Sequence, residues 1–178
     1  IGPTSLITME TATEYNFNHD RLETTIAPQV AIIDKTQDDK TAVIQASVLN
    51  NYSGTISEIK VVGKIPFEGN KYQLTNYSLG SNFTTKLISP IIIPEALKEY
   101  AKVYYSENAN AEVTDNTWTE EFTTSAKAYK VEIKNNILPK MEKIQIQIKM
   151  QIPSNLGYNQ ESYLRTQASY TYGNENKI

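Results

Sequence analysis

Cysteine is absent from the 178-residue chain, which removes disulfides, zinc–thiolate centres, iron–sulfur clusters and thiol nucleophiles together. Histidine occurs once, as His19 in Asn18–His19–Asp20, so no histidine cluster can hold a metal. A catalytic histidine needs a nucleophile and an orienting acid converging on it, and no motif for either surrounds His19. Arg21 and Arg165 are the only arginines among 17 basic side chains, and the net charge is −3. With no long basic block, nucleic acid is not an expected partner. Apolar runs such as Ile91–Ile92–Ile93 are far too short to cross a bilayer, and none exceeds the four residues of Val30–Ala31–Ile32–Ile33. Gly80–Ser81–Asn82 is one glycine in a turn and not a phosphate loop.

What remains suits a folded domain. Hydrophobic residues are 39% of the chain and charged residues 21%, against wholesale disorder. A chain of this length buries roughly 68–70% of its unfolded surface and needs no covalent staples. No composition shift divides it, so 1–178 reads as a single module. Lysine, isoleucine, asparagine and tyrosine dominate over arginine, the bias of an AT-rich coding genome, and a low-GC bacterium is expected. The chain opens at Ile1–Gly2–Pro3 without an initiator methionine or signal peptide and closes on the polar stretch 173–178. It reads as a piece of a longer protein, with any secretion signal or wall anchor outside it.

Alternation of apolar and polar residues dominates, the period of half-buried strands. Over 143–152, Ile144, Ile146, Ile148, Met150 and Ile152 share one face, and Lys143, Gln145, Gln147, Lys149 and Gln151 the other. Ile59, Val61, Gly63 and Ile65 point inward over 58–66; Tyr129, Val131 and Ile133 do so over 129–133. Leu164, Ala168, Tyr170 and Tyr172 share a face whose polar exception is Thr166. Further strands are expected at 6–11, 26–34, 42–50, 83–89 and 100–106. The stretch 35–40 reads as a hairpin loop, Pro66 as a strand stop, and 107–125 as a long polar segment with room for a short strand. The sole helical signal is one turn near 94–99. About nine strands without crossover helices predict an all-β, antiparallel β-sandwich. An odd count of traversing strands would put the termini at opposite ends.

Candidate site residues are few. Trp118, Tyr104 and Tyr105 are the aromatic residues suited to stacking on a sugar, although of two neighbours in a strand one faces the core. Asp34, Asp38 and Asp39 crowd one connection and are the weak candidates for calcium; their spacing does not match an EF-hand loop. Glu120–Glu121 and Asp38–Asp39 read as solvated surface, not as a glycosidase pair. No catalytic residue and no cofactor is expected. Lys60, Lys64, Lys130, Lys134, Lys143 and Lys149 all fall on the outer phase of their strands, so an amide cross-link from an inward lysine is not expected.

Ala46–Ser47–Val48–Leu49–Asn50–Asn51, Gly54, Ile59–Lys60–Val61–Val62 and Ile65–Pro66 resemble the strand–turn–strand core of repeat domains in Gram-positive surface proteins. Leu79–Gly80–Ser81–Asn82–Phe83–Thr84–Thr85, Val103–Tyr104–Tyr105–Ser106, Trp118, Ile152–Pro153, Tyr158–Asn159–Gln160 and Tyr163 extend the similarity to wall-anchored, adhesin-like proteins of clostridia and bacilli. The resemblance implies an extracellular immunoglobulin-like sandwich at the cell wall, one module among similar neighbours, without enzymatic activity. The expected function is therefore a non-enzymatic stalk, spacer or adhesive segment of a bacterial cell-surface protein, monomeric, with neighbouring modules and a host or matrix protein or glycan as partners. The alternative is a carbohydrate-binding module of a secreted protein.

Overall fold

The computed structural model describes residues 4–11, 22–27, 30–34, 41–50, 54–71, 77–134, 143–154, 156, 160–172 and 175–177. They form eleven strands: β1 Thr4–Thr11, β2 Leu22–Ala27, β3 Val30–Asp34, β4 Thr41–Asn50, β5 Ile56–Lys64, β6 Lys86–Leu87, β7 Ala101–Ser106, β8 Ala128–Ile133, β9 Lys143–Gln151, β10 Glu161–Tyr172 and β11 Glu175–Lys177. The one helical element is a 3-10 turn, Glu95–Leu97, within the segment where a single turn was expected.

Two sheets carry the fold. One runs β3-β1-β10-β5-β8-β7, with β11 also against β10; the other runs β2-β4-β9-β6. At their centre, β10-β5-β8-β7 and β4-β9-β6 are antiparallel throughout. The expected count of nine falls short for two reasons. The run 26–34 is not one strand: β2 ends at Ala27, β3 starts at Val30, and the two belong to different sheets. And the polar tail adds β11, paired with Tyr170–Tyr172. One pairing also departs from the antiparallel expectation, because β1 lies parallel to β10 from Leu6↔Glu161 to Thr11↔Thr166. The stretch 35–40, expected as a hairpin loop, lies outside the described residues; the strands on either side of it, β3 and β4, belong to different sheets.

The alternation in β9 is realised residue by residue. Ile144, Ile146, Ile148 and Met150 are at most 2% exposed, while Lys143, Gln145, Gln147 and Gln151 face solvent. Its partner β4 contributes Ile44, Ala46 and Val48 to the same layer. From the facing sheet come Ile59, Val61, Ile65, Tyr129, Val131, Ile133, Leu164, Ala168 and Tyr170, closing one hydrophobic core between the layers. β5 ends at Lys64, just before Ile65–Pro66, and Thr85 binds the Pro66 carbonyl through both its backbone N–H and its hydroxyl.

β5 also carries a bulge. Ser169 pairs with Lys60 and Thr171 with Ser57, so Glu58 and Ile59 together stand opposite Tyr170. Glu58 holds the extra turn at φ 50°, in the left-handed region. The inserted residue resets the phase of the strand, and Ile56 and Ile59 both point inward.

Candidate functional site

The outer face of the β5–β8–β7 layer concentrates the candidate chemistry. Alternation puts Ala101, Val103 and Tyr105 of β7 against the core, and Lys102 and Tyr104 on the other side. In β8 the outward residues are Lys130 and Glu132, followed by Lys134 beyond the strand end. Registration then stacks Tyr104 beside Lys130 and Lys102 beside Glu132, while the Lys134 amide donates to the Tyr100 carbonyl at 3.3 Å.

Tyr104 and Trp118 are brought together, and Tyr105 is not. Lys130 Nζ sits 4.8 Å from the Tyr104 ring centre and 5.1 Å from that of Trp118, an ammonium held between two aromatic faces. The same ammonium pairs with Glu132 at 3.1 Å and donates to the Val113 carbonyl at 3.3 Å. Trp118 is fixed in turn by its indole N–H, which donates to the Glu112 carbonyl at 2.8 Å. Tyr105 is 3% exposed; its hydroxyl accepts from the Ile91 amide and its ring meets Phe122 edge-on at 5.2 Å. It is a core residue.

The polar segment 107–125 supplies what the alternation rule omits. It runs back over the outer face, with Ala109 and Ala111 buried beneath it. Thr119 exchanges both backbone hydrogen bonds with Tyr105, a bridge at the place where a short strand was expected. Consequently the outer phase is not solvent at every row. Lys64 is 1% and Lys130 7% exposed, and Val62 and Gln167 are buried with them. Both lysines keep the outward phase expected of them, and that cover is what buries them. Burial lowers the pKa of Lys64; Glu112 opposes the shift, Arg165 adds to it and Asp115 opposes it again.

Beyond the covered rows the face opens into a cavity of about 430 Å³ lined by Lys98, Glu99, Tyr100, Lys102, Tyr104, Glu132 and Lys134 and by Ala101. Lys102 pairs with Glu120 at 3.2 Å, and Lys98 with Glu95. The Tyr100 hydroxyl is pushed up from its ordinary pKa by its hydrogen bond to Glu99 and by that carboxylate's charge. Trp118 does not line the cavity; it reaches it only through Lys130. Tyr100, 39% exposed, is the residue that sequence reasoning missed. Its signal was its spacing, because 100, 102 and 104 share one phase.

Among the acidic candidates, Asp34 ends β3, and Asp38 and Asp39 lie outside the described residues, as does His19. Among the described residues, no group of three histidine, cysteine or acidic side chains is placed to hold a metal. No helix of the described residues is long and apolar enough to cross a membrane. Comparison with protein-family models, with curated proteins and with solved structures finds no match.

Proposed function

We infer that the chain is a non-enzymatic module of a bacterial cell-surface protein, serving as a load-bearing stalk or spacer outside the cell between neighbouring modules. The observation that carries this reading is the parallel ladder between the first strand and β10. Leu6 pairs with Glu161 at the start of β10, and β10 runs twelve residues to Tyr172. At about 3.3 Å per residue, the entry of β1 and the exit of β10 lie roughly 35–40 Å apart. Force applied at the two ends first peels the three-residue β11 from β10 and then pulls β1 and β10 in opposite senses along their common axis. The registered pairs from Leu6↔Glu161 to Thr11↔Thr166 then resist together, in shear, and not one after another.

Topology supports an immunoglobulin-like reading of the same module. β4 and β9 pair in one sheet, β5 and β10 pair in the other, and the chain crosses between sheets from β4 to β5 and from β9 to β10. That is the relation of the B, E, C and F strands in an immunoglobulin sandwich. Cysteine-free composition and the resemblance to Gram-positive repeat domains support the surface location.

Single-molecule stretching tests the mechanical role. Thr41 and Gln151 are directly paired at the end of an antiparallel ladder, so handles there would unzip β4 from β9 bond by bond. With cysteines introduced at those positions, unfolding is expected at lower force than when the same chain is pulled from its two ends. Equal or lower resistance from the ends would remove the mechanical argument. A second reading, a carbohydrate-binding module of a secreted protein, is favoured by the cavity beside Tyr100 and Tyr104.

A further inference from the structure

We propose that the cavity on the outer face of β7 and β8 binds an acidic saccharide, a pyranose ring bearing a carboxylate. The proposal rests on the carbohydrate-binding reading and narrows it to a ligand class.

Size and shape come first. About 430 Å³ is within the range of roughly 300–1,000 Å³ typical of small-ligand sites. Tyr104 of β7 and Tyr100, the turn residue just before the strand, both line the cavity. Lys102 and its partner Glu132 lie between them. Two rings with a polar strip between them suit a sugar chain, whose C–H faces stack on aromatics and whose hydroxyls bond charged side chains in the plane. A peptide laid across the face would instead need an apolar groove, and charged side chains dominate this lining.

Preorganisation comes second. The ammonium of Lys130 lies over the Tyr104 ring and is itself pinned by Glu132, the Val113 carbonyl and Trp118. Lys130 is not part of the cavity wall, so the ring is held from behind, and little side-chain freedom is left to lose on binding.

Charge decides the ligand class. Lys98 is matched by Glu95, Lys102 by Glu120 and Glu132 by Lys130, while Glu99 takes a hydrogen bond from the Tyr100 hydroxyl and keeps its charge. Lys134 lines the same cavity, and no acidic side chain pairs with it among the described residues. The wall thus offers the Lys134 cation to a ligand carboxylate and the Glu99 carboxylate to ligand hydroxyls, beside rings that take the sugar face.

The test uses the whole chain and an array of uronic and sialic acid oligosaccharides, each beside its uncharged methyl ester, with affinities from calorimetry. Acidic forms are expected to bind roughly ten- to a hundredfold tighter than their esters, the value of one charge-assisted hydrogen bond. Lys134→Gln should erase that preference and leave weak binding of both forms. Tyr100→Ala, at an exposed position, should weaken both forms without moving the unfolding midpoint, which separates loss of contact from loss of fold. Equal affinity for acid and ester in the unaltered chain would overturn the proposal and leave the broader carbohydrate reading standing. Retained preference in Lys134→Gln would also overturn it. Failure of the unaltered chain to bind any saccharide on the array would overturn both.

Discussion

Tyr129 lies directly over Gly63, its cross-strand partner, and reaches past it to Thr166, 3.3 Å from hydroxyl to hydroxyl. Gly63 and Thr166 are themselves paired, so the three residues form one inward row across β8, β5 and β10. A Cβ on residue 63 would fall inside the Tyr129 ring, against Cζ, Cε1 and the hydroxyl oxygen. The missing side chain is the space the ring occupies.

Gly63→Ala is therefore expected to destabilise the module strongly. Tyr129 is wholly buried and has nowhere to move at low cost. The loss should reach or exceed the upper end of the ~1–3 kcal/mol usual for overpacking. Urea denaturation measures it, and a change under ~0.5 kcal/mol would contradict the arrangement.

The hydroxyl pair predicts a coupling. Tyr129→Phe or Thr166→Val alone leaves one buried oxygen without its partner, at about 1–3 kcal/mol. The double substitution removes both and should cost little more than either single one. A double-mutant cycle with strictly additive losses would show that the two hydroxyls do not interact.

Alkaline titration reads the same residue. Burial pushes the Tyr129 pKa up to about 12, partly offset by the Thr166 hydrogen bond. A phenol raised in this way stabilises the fold fully below its unfolded pKa of about 10, and that contribution fades as pH rises through about 12. The stability advantage of the native chain over Tyr129→Phe should shrink across pH 10–12, by at most about 3 kcal/mol. Lys64, lowered by burial, acts with the opposite sign: stability climbs with pH until the unfolded lysine deprotonates near 10.5. That trend is common to both proteins and cancels in their difference. A flat difference would be the contrary result.

In β9, Ile146→Asp should unfold the module or cost several kcal/mol, since it puts an unpaired carboxylate at a position 2% exposed. Gln147→Asp, on the solvent face, should stay within about 0.5 kcal/mol. Chemical denaturation of the two variants side by side distinguishes a half-buried strand from one buried on both faces, for which the losses would be equal.

Glu58→Gly should stabilise. The left-handed backbone at the bulge costs a glutamate roughly 1–2 kcal/mol, part of which glycine returns through its greater unfolded-state freedom. A net gain of about 0.5–1 kcal/mol is expected in thermal or urea unfolding, and a loss would show that the glutamate side chain matters more than the backbone.

These residues also show what was legible in the sequence. Alternation identified β9, β8 and most of β10, because a half-buried strand writes its burial into every second residue. Thr166 stood out as the polar member of an inward row, and Gly63 was placed inward; that the two are joined by Tyr129 is a tertiary fact that no local pattern contains. The same limit applies to Lys64. Its phase is outward, as read, but burial depends on 107–125 folding over that face, and a polar segment carries no periodic mark of what it covers. The division of 26–34 between two sheets was not read from the sequence, because sheet membership is set by partners far along the chain. Of the site, Tyr104 and Trp118 were named as candidates, whereas Tyr100 and the Lys130 bridge depend on registration between β7 and β8.

The bridge between Tyr105 and Thr119 has a consequence for how such modules tolerate crowding. β7 is the outermost strand of its sheet, and an outermost strand offers its open amides and carbonyls to any similar strand nearby. Tandem copies on one polymer would meet at very high local concentration, where edge-to-edge annealing leads to insoluble aggregates. Thr119 occupies the bonding groups of Tyr105 from within the same chain. Beside it, the ion pair of Lys102 with Glu120 ties the same two segments together. The segment that roofs the outer face thus also works as a selvedge, finishing the fabric of the sheet along that edge.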